Sequence, residues 1–420
     1  MHPRTNHFGF KQKSFFLFAI LFTYFTVGSN LKLDIYFYKW GIGYFDLLFI
    51  LLAIISTAQN KLRFNVKLSD IIFVSFSFMV LMMILSEIFA LFFQFKSNID
   101  FSFIRKIYFL LIFIIIYHIS SKSFNTYACL KGALVGTVIG GIFYFIENYN
   151  YTLKTLYVPE IAGIQLINDQ NVIGQVLALS VLSLFILHVL DRKIKWCVLI
   201  ILAFIPLLMT YSKTSMLQWL ILLIMLISWY ILYNRKMSIK VFLFATLGGI
   251  FCAIVYYLGF ENLDTVYEYK LEQTRGGTVD ARLVYFYKTL YASFNSPLFG
   301  HGAKNLEYIT NIVPVNWAVA DVSNSHNAFS ELAFSSGYLA ALALLVTIHA
   351  SASRLRYVVL HYTSRFDSLF VFIAFYIVIG LWASVQLQIY SQPWFYAFCG
   401  LISGIARKIR ISKKFSQNEE

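Results

Sequence analysis

From Ile71 to Phe93 the chain carries one ionisable side chain, Glu87, in an otherwise apolar run, and comparable runs recur along its length, among them Phe15–Val27 and Met216–Tyr233. A helix rises about 1.5 Å per residue, so about 20 apolar residues cross a hydrocarbon layer about 30 Å thick. The two longer runs reach that length, and the first does once its flanks are included. In lipid every backbone N–H and C=O must be satisfied within the protein, so such runs read as helices.

Composition agrees. Hydrophobic residues make up 59% of the 420 and charged residues 13%, with a mean hydropathy of +0.70. A soluble domain averages about 25% charged residues, and a water-exposed globule of this length has no core large enough for the apolar excess. The formal net charge of +14 does not point to nucleic acid, because the basic residues fall in short clusters between apolar runs and gather on no soluble domain. Cys129, Cys197, Cys252 and Cys399 lie in or beside apolar runs, with neither metal-ligand spacing nor a disulfide framework, and read as packing residues. The first run follows Lys11 and Lys13 but shows no convincing small-residue cleavage site after Val27, so it reads as an uncleaved span.

About twelve spans are expected, centred near residues 21, 50, 82, 112, 137, 181, 203, 225, 250, 340, 377 and 400. With the N-terminus in the cytoplasm, 22 of the 34 Lys and Arg face that side although the outside loops are longer, which places both termini there. The expected fold is an all-α polytopic membrane protein. Spans 1 to 9 occupy residues 1–260, a large outside loop with short helices 261–325, spans 10 to 12 residues 326–411, and a polar cytoplasmic tail 412–420. A smaller outside segment runs from Glu147 to about Asn171. Gly276-Gly277, Pro297 and Pro314 punctuate the large loop. Within it, Asp280–Asn295 reads as an amphipathic interfacial helix, with Val284, Tyr287 and Tyr291 at helical spacing.

Of the eight histidines, His301 and His326 face outward. His326 lies in Asn324-Ser325-His326-Asn327 at the mouth of the tenth span, where Asn324 or Ser325 can cap the helix. A neutral imidazole there can accept a proton from a sugar hydroxyl; the plainer reading is an interfacial histidine bonded to loop carbonyls. Outward cations run against the orientation rule: Lys213 in the turn Thr210–Ser215, Arg275 and Arg282 around Gly276-Gly277, Lys288, and Arg105 with Lys106. Guanidinium groups grip a diphosphate with paired hydrogen bonds; headgroup contact, or pairing with loop acids such as Glu272 and Asp280, is the alternative. Glu87 and Glu331 lie within apolar runs, where a carboxylate is usually paired or functional. There is no Gly-rich phosphate loop, no nucleotide-sugar signature and no metal-binding cluster, so neither metal nor cofactor is expected. Outside the cytoplasm a donor must arrive already activated, as it does on a lipid diphosphate.

Four segments resemble a known family. His326-Asn327, nine further residues and Gly337 resemble the His-(Asn/Ser/Gln)-x9-Gly pattern of the O-antigen ligases and the related Wzy-type polysaccharide polymerases. Arg282 followed by Pro297-Leu298-Phe299-Gly300-His301-Gly302 is similar to that family's Arg…Pro-x-x-Gly-x-Gly stretch. Asn168-Asp169-Gln170-Asn171 resembles its Asp-Pro-Asn-like motif, and Thr210-Tyr211-Ser212-Lys213 its Thr-x-Ser-Arg turn. The resemblance covers most of residues 160–345 in the family's order.

It implies a GT-C-like glycosyltransferase architecture in the cell inner membrane, with the active site on the periplasmic face. The implied reaction is an inverting, metal-independent transfer from an undecaprenyl-diphosphate-linked glycan. His326 would activate the acceptor hydroxyl, and Arg282, Lys213 and Arg275 would hold the diphosphate, with Asn327, Asn171, His301 and Glu331 accessory. Lys213 departs from the usual Arg, keeping the charge and losing the fork. Ala340 stands where many ligases have a second Gly after Gly337. That departure tilts the expectation toward a polymerase joining lipid-linked repeat units, over a ligase loading lipid A-core. The expected partners are the lipid-linked glycan, an acceptor sugar on a lipid carrier or on lipid A-core, membrane lipids and a chain-length regulator, with no nucleic acid. A lipid-linked oligosaccharide flippase is the non-enzymatic alternative, but it would show two related halves with interrupted spans, and no such symmetry is present.

Overall fold

In the computed structural model the described residues are 7–27, 32–37, 40–43, 70–93, 102–122, 126–148, 193–209, 289–303, 327–362 and 393–417, with single positions between 174 and 184. The described apolar runs are helices: α1 (His7–Val27), α2 (Ile71–Phe93), α3 (Ser102–Lys122), α4 (Thr126–Asn148), α5 (Ile194–Met209), α6 (Ala328–Ser336), α7 (Tyr338–Tyr362) and α8 (Pro393–Gln417). Among the described residues, α2 and the stretch Tyr338–Val358 of α7 are long and apolar enough to cross a membrane, and Ser14–Phe25, Ala128–Phe143 and Ile194–Leu208 form shorter apolar helices. The spans expected near 50, 225, 250 and 377 lie outside the described residues.

The described residues are mostly helical, as expected, with one short addition: β1 (Lys32–Phe37) and β2 (Trp40–Gly43) form an antiparallel hairpin pairing Phe37 with Trp40. The run Ile35-Tyr36-Phe37 is β-branched and aromatic, which suits an extended, half-covered strand. At the other end of the chain α8 continues to Gln417, past the expected start of the polar tail at 412.

Close helix pairs are built on small residues. Gly132 and Gly136, one turn apart on α4, meet the backbone of α1: a methyl at Gly136 would lie 2.8 Å from the Thr23 nitrogen, and one at Gly132 would meet the Phe15 carbonyl. Gly400 and Gly404 on α8 do the same against α3, where a methyl at Gly400 would lie 2.6 Å from the Phe113 carbonyl oxygen. Apolar tails solvate leucine as well as another leucine does, so helices in lipid associate through such backbone approach instead of through water exclusion. In both pairs the contacts advance together along the two chains, so the helices run parallel. Phe76 stacks on Tyr396 at 4.3 Å, and Phe22 meets Phe398 edge-on at 4.6 Å, tying α2 and α1 to α8.

Helices α2 and α7 run antiparallel and are tied at both ends. Asp70 caps α2 by accepting from the Ile72 N–H at 3.0 Å and pairs with Arg354 of α7 at 3.9 Å. Sixteen residues on, Ser86 donates to the carbonyl of Ser335, just ahead of α7. These directions are the ones an up-and-down chain requires. Lys106, near the start of α3, lies at one end of the bundle, and most of the described cations lie at the other. There Lys131 and Lys195 lie over the Trp196 ring at 5.3 and 4.6 Å, Arg407 donates to the Tyr117 hydroxyl at 3.3 Å, and Arg410 lies over Tyr357 at 5.0 Å. The opposite end holds α6 and the segment 289–303.

Candidate active site

Helix α6 is the nine residues between Asn327 and Gly337. Asn327 is extended (φ −143°, ψ 120°), and its side-chain oxygen accepts from the N–H groups of Phe329 at 2.9 Å and Ser330 at 3.1 Å. Glu331, buried in the first turn, donates its backbone N–H to the Asn327 carbonyl at 3.0 Å, and its carboxyl sits near the positive end of the helix dipole. Gly337 ends the helix with φ +86°, donating its N–H to the Ala333 carbonyl at 3.0 Å. The nine-residue spacing of the sequence pattern is therefore one helix measured from N-cap to C-cap. The cap is Asn327, not Asn324 or Ser325, so His326 directly precedes it in the chain. Gly337 also divides the expected tenth span into α6 and α7, because a residue without Cβ turns the chain where other residues would be strained.

The second motif docks on this helix. Residues 289–293 are helical and lead into turns over 294–299. The loop closes with Gly300 donating to the Ser296 carbonyl at 2.8 Å and the Ser296 hydroxyl donating to the Gly300 carbonyl at 2.7 Å. His301 then donates its N–H to the Phe334 carbonyl at 2.8 Å, Gly302 to Ser335 at 3.0 Å, and Tyr338 to the Pro297 carbonyl at 2.8 Å. The last carbonyls of a helix have no partner within it; here the motif supplies two. Gly300 (φ +69°) and Gly337 each lie against the backbone of the opposing segment. A methyl at Gly300 would lie 2.5 Å from the Ser336 nitrogen, and one at Gly337 would meet the Leu298 carbonyl. The glycines of both patterns thus serve one contact.

His301 is buried in the joint. Its Nε2–H donates to the Ala292 carbonyl at 2.9 Å, a bond that fixes a proton on that nitrogen because a carbonyl only accepts. The ring lies 5.1 Å from that of Phe334. Burial pushes the imidazole below the usual histidine range, and the Ala292 carbonyl opposes this to a lesser extent.

The third side of the joint comes from α2. The Gly302 N–H is shared, reaching the Ser86 hydroxyl at 3.1 Å, while Ser86 itself donates to Ser335. The Ala303 N–H donates to Glu87 Oε1 at 2.6 Å. Phe89 stacks on Phe299 at 5.1 Å. Glu87 is therefore paired, with a loop amide as one partner. Ser86 is absent from the sequence-derived candidates; the signal for it is the Ser-Glu pair in an otherwise apolar run.

Of the expected site residues, the structure places Asn327 and Glu331 at the start of α6 and His301 at its end. His326, Arg282, Lys213, Arg275 and Asn171 lie outside the described residues. Among the described residues, no three His, Cys, Asp or Glu side chains cluster as metal ligands.

Residues 198–345 match the family model described as O-antigen ligase. No curated protein matches the chain. The matched stretch begins inside α5, takes in the large loop and both joined motifs, and ends inside α7. With the apolar helices, this match supports a membrane protein with a role in polysaccharide assembly.

Proposed function

We propose, from the premise that residues 198–345 form a domain of the O-antigen ligase family, that this chain polymerises O-antigen or exopolysaccharide repeat units on the periplasmic face of the inner membrane. The donor is a glycan on undecaprenyl diphosphate, and the acceptor is the non-reducing sugar of another lipid-linked unit. The acceptor oxygen attacks the anomeric carbon from the face opposite the diphosphate, the bond to the diphosphate breaks, and the anomeric configuration inverts. His326 takes the hydroxyl proton, and Arg282, Lys213 and Arg275 offset the charge of the departing diphosphate. Because the leaving group is already activated, catalysis asks chiefly for alignment and one base, with no cofactor.

The observation that supports this reading is the joint itself. Two backbone hydrogen bonds to α6 and one from the first residue of α7 make the Pro-x-x-Gly-x-Gly loop and this joint one body, and α6 begins at the cap residue that follows His326 in sequence. Clustering of cations at the far end of the bundle supports termini in the cytoplasm and the joint outside. The family match fits equally the ligase reading, in which the same donor loads lipid A-core. Deleting a polymerase gene leaves single repeat units on core; deleting a ligase gene leaves core bare.

The direct test is reconstitution in proteoliposomes with a lipid-diphosphate-linked repeat unit, without nucleotide or metal. A product ladder is expected, and His326→Ala should lower turnover by about 100-fold or more, the usual scale of general-base loss. Glycan crossing the bilayer with no ladder, unaffected by that substitution, would instead identify a flippase.

A further inference from the structure

We infer that Ser86 and Glu87 of α2 are positioning residues for the transfer reaction, an inference that rests on the glycosyltransferase reading above. Neither lies in the family-matched segment 198–345, yet both bond to it. The reasoning starts from position in the helix. Ser86 is 1% and Glu87 4% exposed, on a helix whose other side chains are apolar save Ser75 and Ser77, where a carboxylate is expensive unless well partnered. Packing alone would be served by Ala and Leu at these sites.

The bonds they make share one target. Ser86 bridges the Gly302 amide and the Ser335 carbonyl, so a single hydroxyl joins the loop to the end of α6. Glu87 accepts from the very next amide, Ala303, at 2.6 Å. Phe89 then stacks on Phe299 one turn further along α2. Three contacts within about one turn of α2 thus set where the chain leaves Gly302. The chain leaves this joint at Ala303 and re-enters it at Asn327, the residue that follows His326 in sequence. A shift of the Gly302 amide or of the Ser335 carbonyl displaces the joint whose N-cap adjoins the proposed base. Such a shift changes alignment in the transition state more than it changes affinity for the donor, so it lowers kcat with little effect on KM.

The test compares full-length wild type, Ser86→Ala, Glu87→Ala and Glu87→Gln in the ladder assay, normalised to folded protein by monodisperse elution and thermal unfolding. Amide exchange over 297–303 is followed in the same samples. Glu87→Ala is expected to lower kcat by about 10- to 100-fold with KM for the donor nearly unchanged, the scale of a misplacement near 1 Å. Exchange at Gly302 and Ala303 should accelerate, and Glu87→Gln, which keeps an acceptor oxygen, should recover most of the turnover. If wild type is active and the variants turn over normally per folded molecule, the inference fails alone. If they lose only folded yield, the pair is structural and the inference fails too. An inactive wild type sinks the glycosyltransferase reading and this inference together.

Discussion

Asn327 shows how much one side chain decides. Asn324, Ser325 and Asn327 are all good caps in sequence, and the helix selects the last, whose oxygen satisfies two amides that would otherwise face nothing. Asn327→Ala should cost about 1 kcal/mol at α6, and Asp or Ser should restore most of it, read as thermal unfolding in detergent. His301 gives the joint a pH response. Burial disfavours its charged form, so below the ordinary histidine value of about 6.5 the unfolded chain binds more protons than the folded one. Stability is full above that value and falls as pH drops through it. Amide exchange over 297–303, corrected for intrinsic rate, should therefore quicken between about pH 7.5 and 5.5, and His301→Gln should flatten the response. The motif glycines were legible as spacing, but not as partners. Nothing in the pattern says that Gly300 packs on the end of α6 or Gly337 on Leu298, because a positive φ is a local property and these contacts are tertiary.

At the scale of elements, α6 is a spacer of fixed length. Adding one alanine inside 328–336 would lengthen it by about 1.5 Å and rotate its far end by about 100°, turning the Phe334 and Ser335 carbonyls away from the amides of His301 and Gly302. Turnover should fall to the level of His326→Ala while α2 and α7 still form, measured as ladder synthesis beside helical content. The long apolar helices were readable from composition. The hairpin β1–β2 was not, since it lies between spans where a loop is the default. The parallel packing of α4 on α1 and of α8 on α3 was readable in principle from glycines spaced one turn apart, although the periodicity of apolar residues alone does not reveal it. Ser86 and Glu87 stand over two hundred residues from Gly302 and Ala303 in sequence, so no local rule could have joined them.

For the whole molecule, the separation of charge from joint sets an orientation that labelling can read. A cysteine at Phe294 or Leu298, both well exposed, should react with a membrane-impermeant maleimide in intact cells or spheroplasts. One at Arg410 should react only after permeabilisation, and the reverse result would overturn the assignment of sides. Helix α2 is fastened to α7 by Asp70–Arg354 below and to the end of α6, just ahead of α7, by Ser86–Ser335 above. A span of this length meets a thinner bilayer by tilting, and neither member of a doubly fastened pair can tilt without the other. In the reaction proposed above, bilayer thickness then shifts the joint as one body, and the surrounding acyl chains set the depth at which a lipid-borne donor is met.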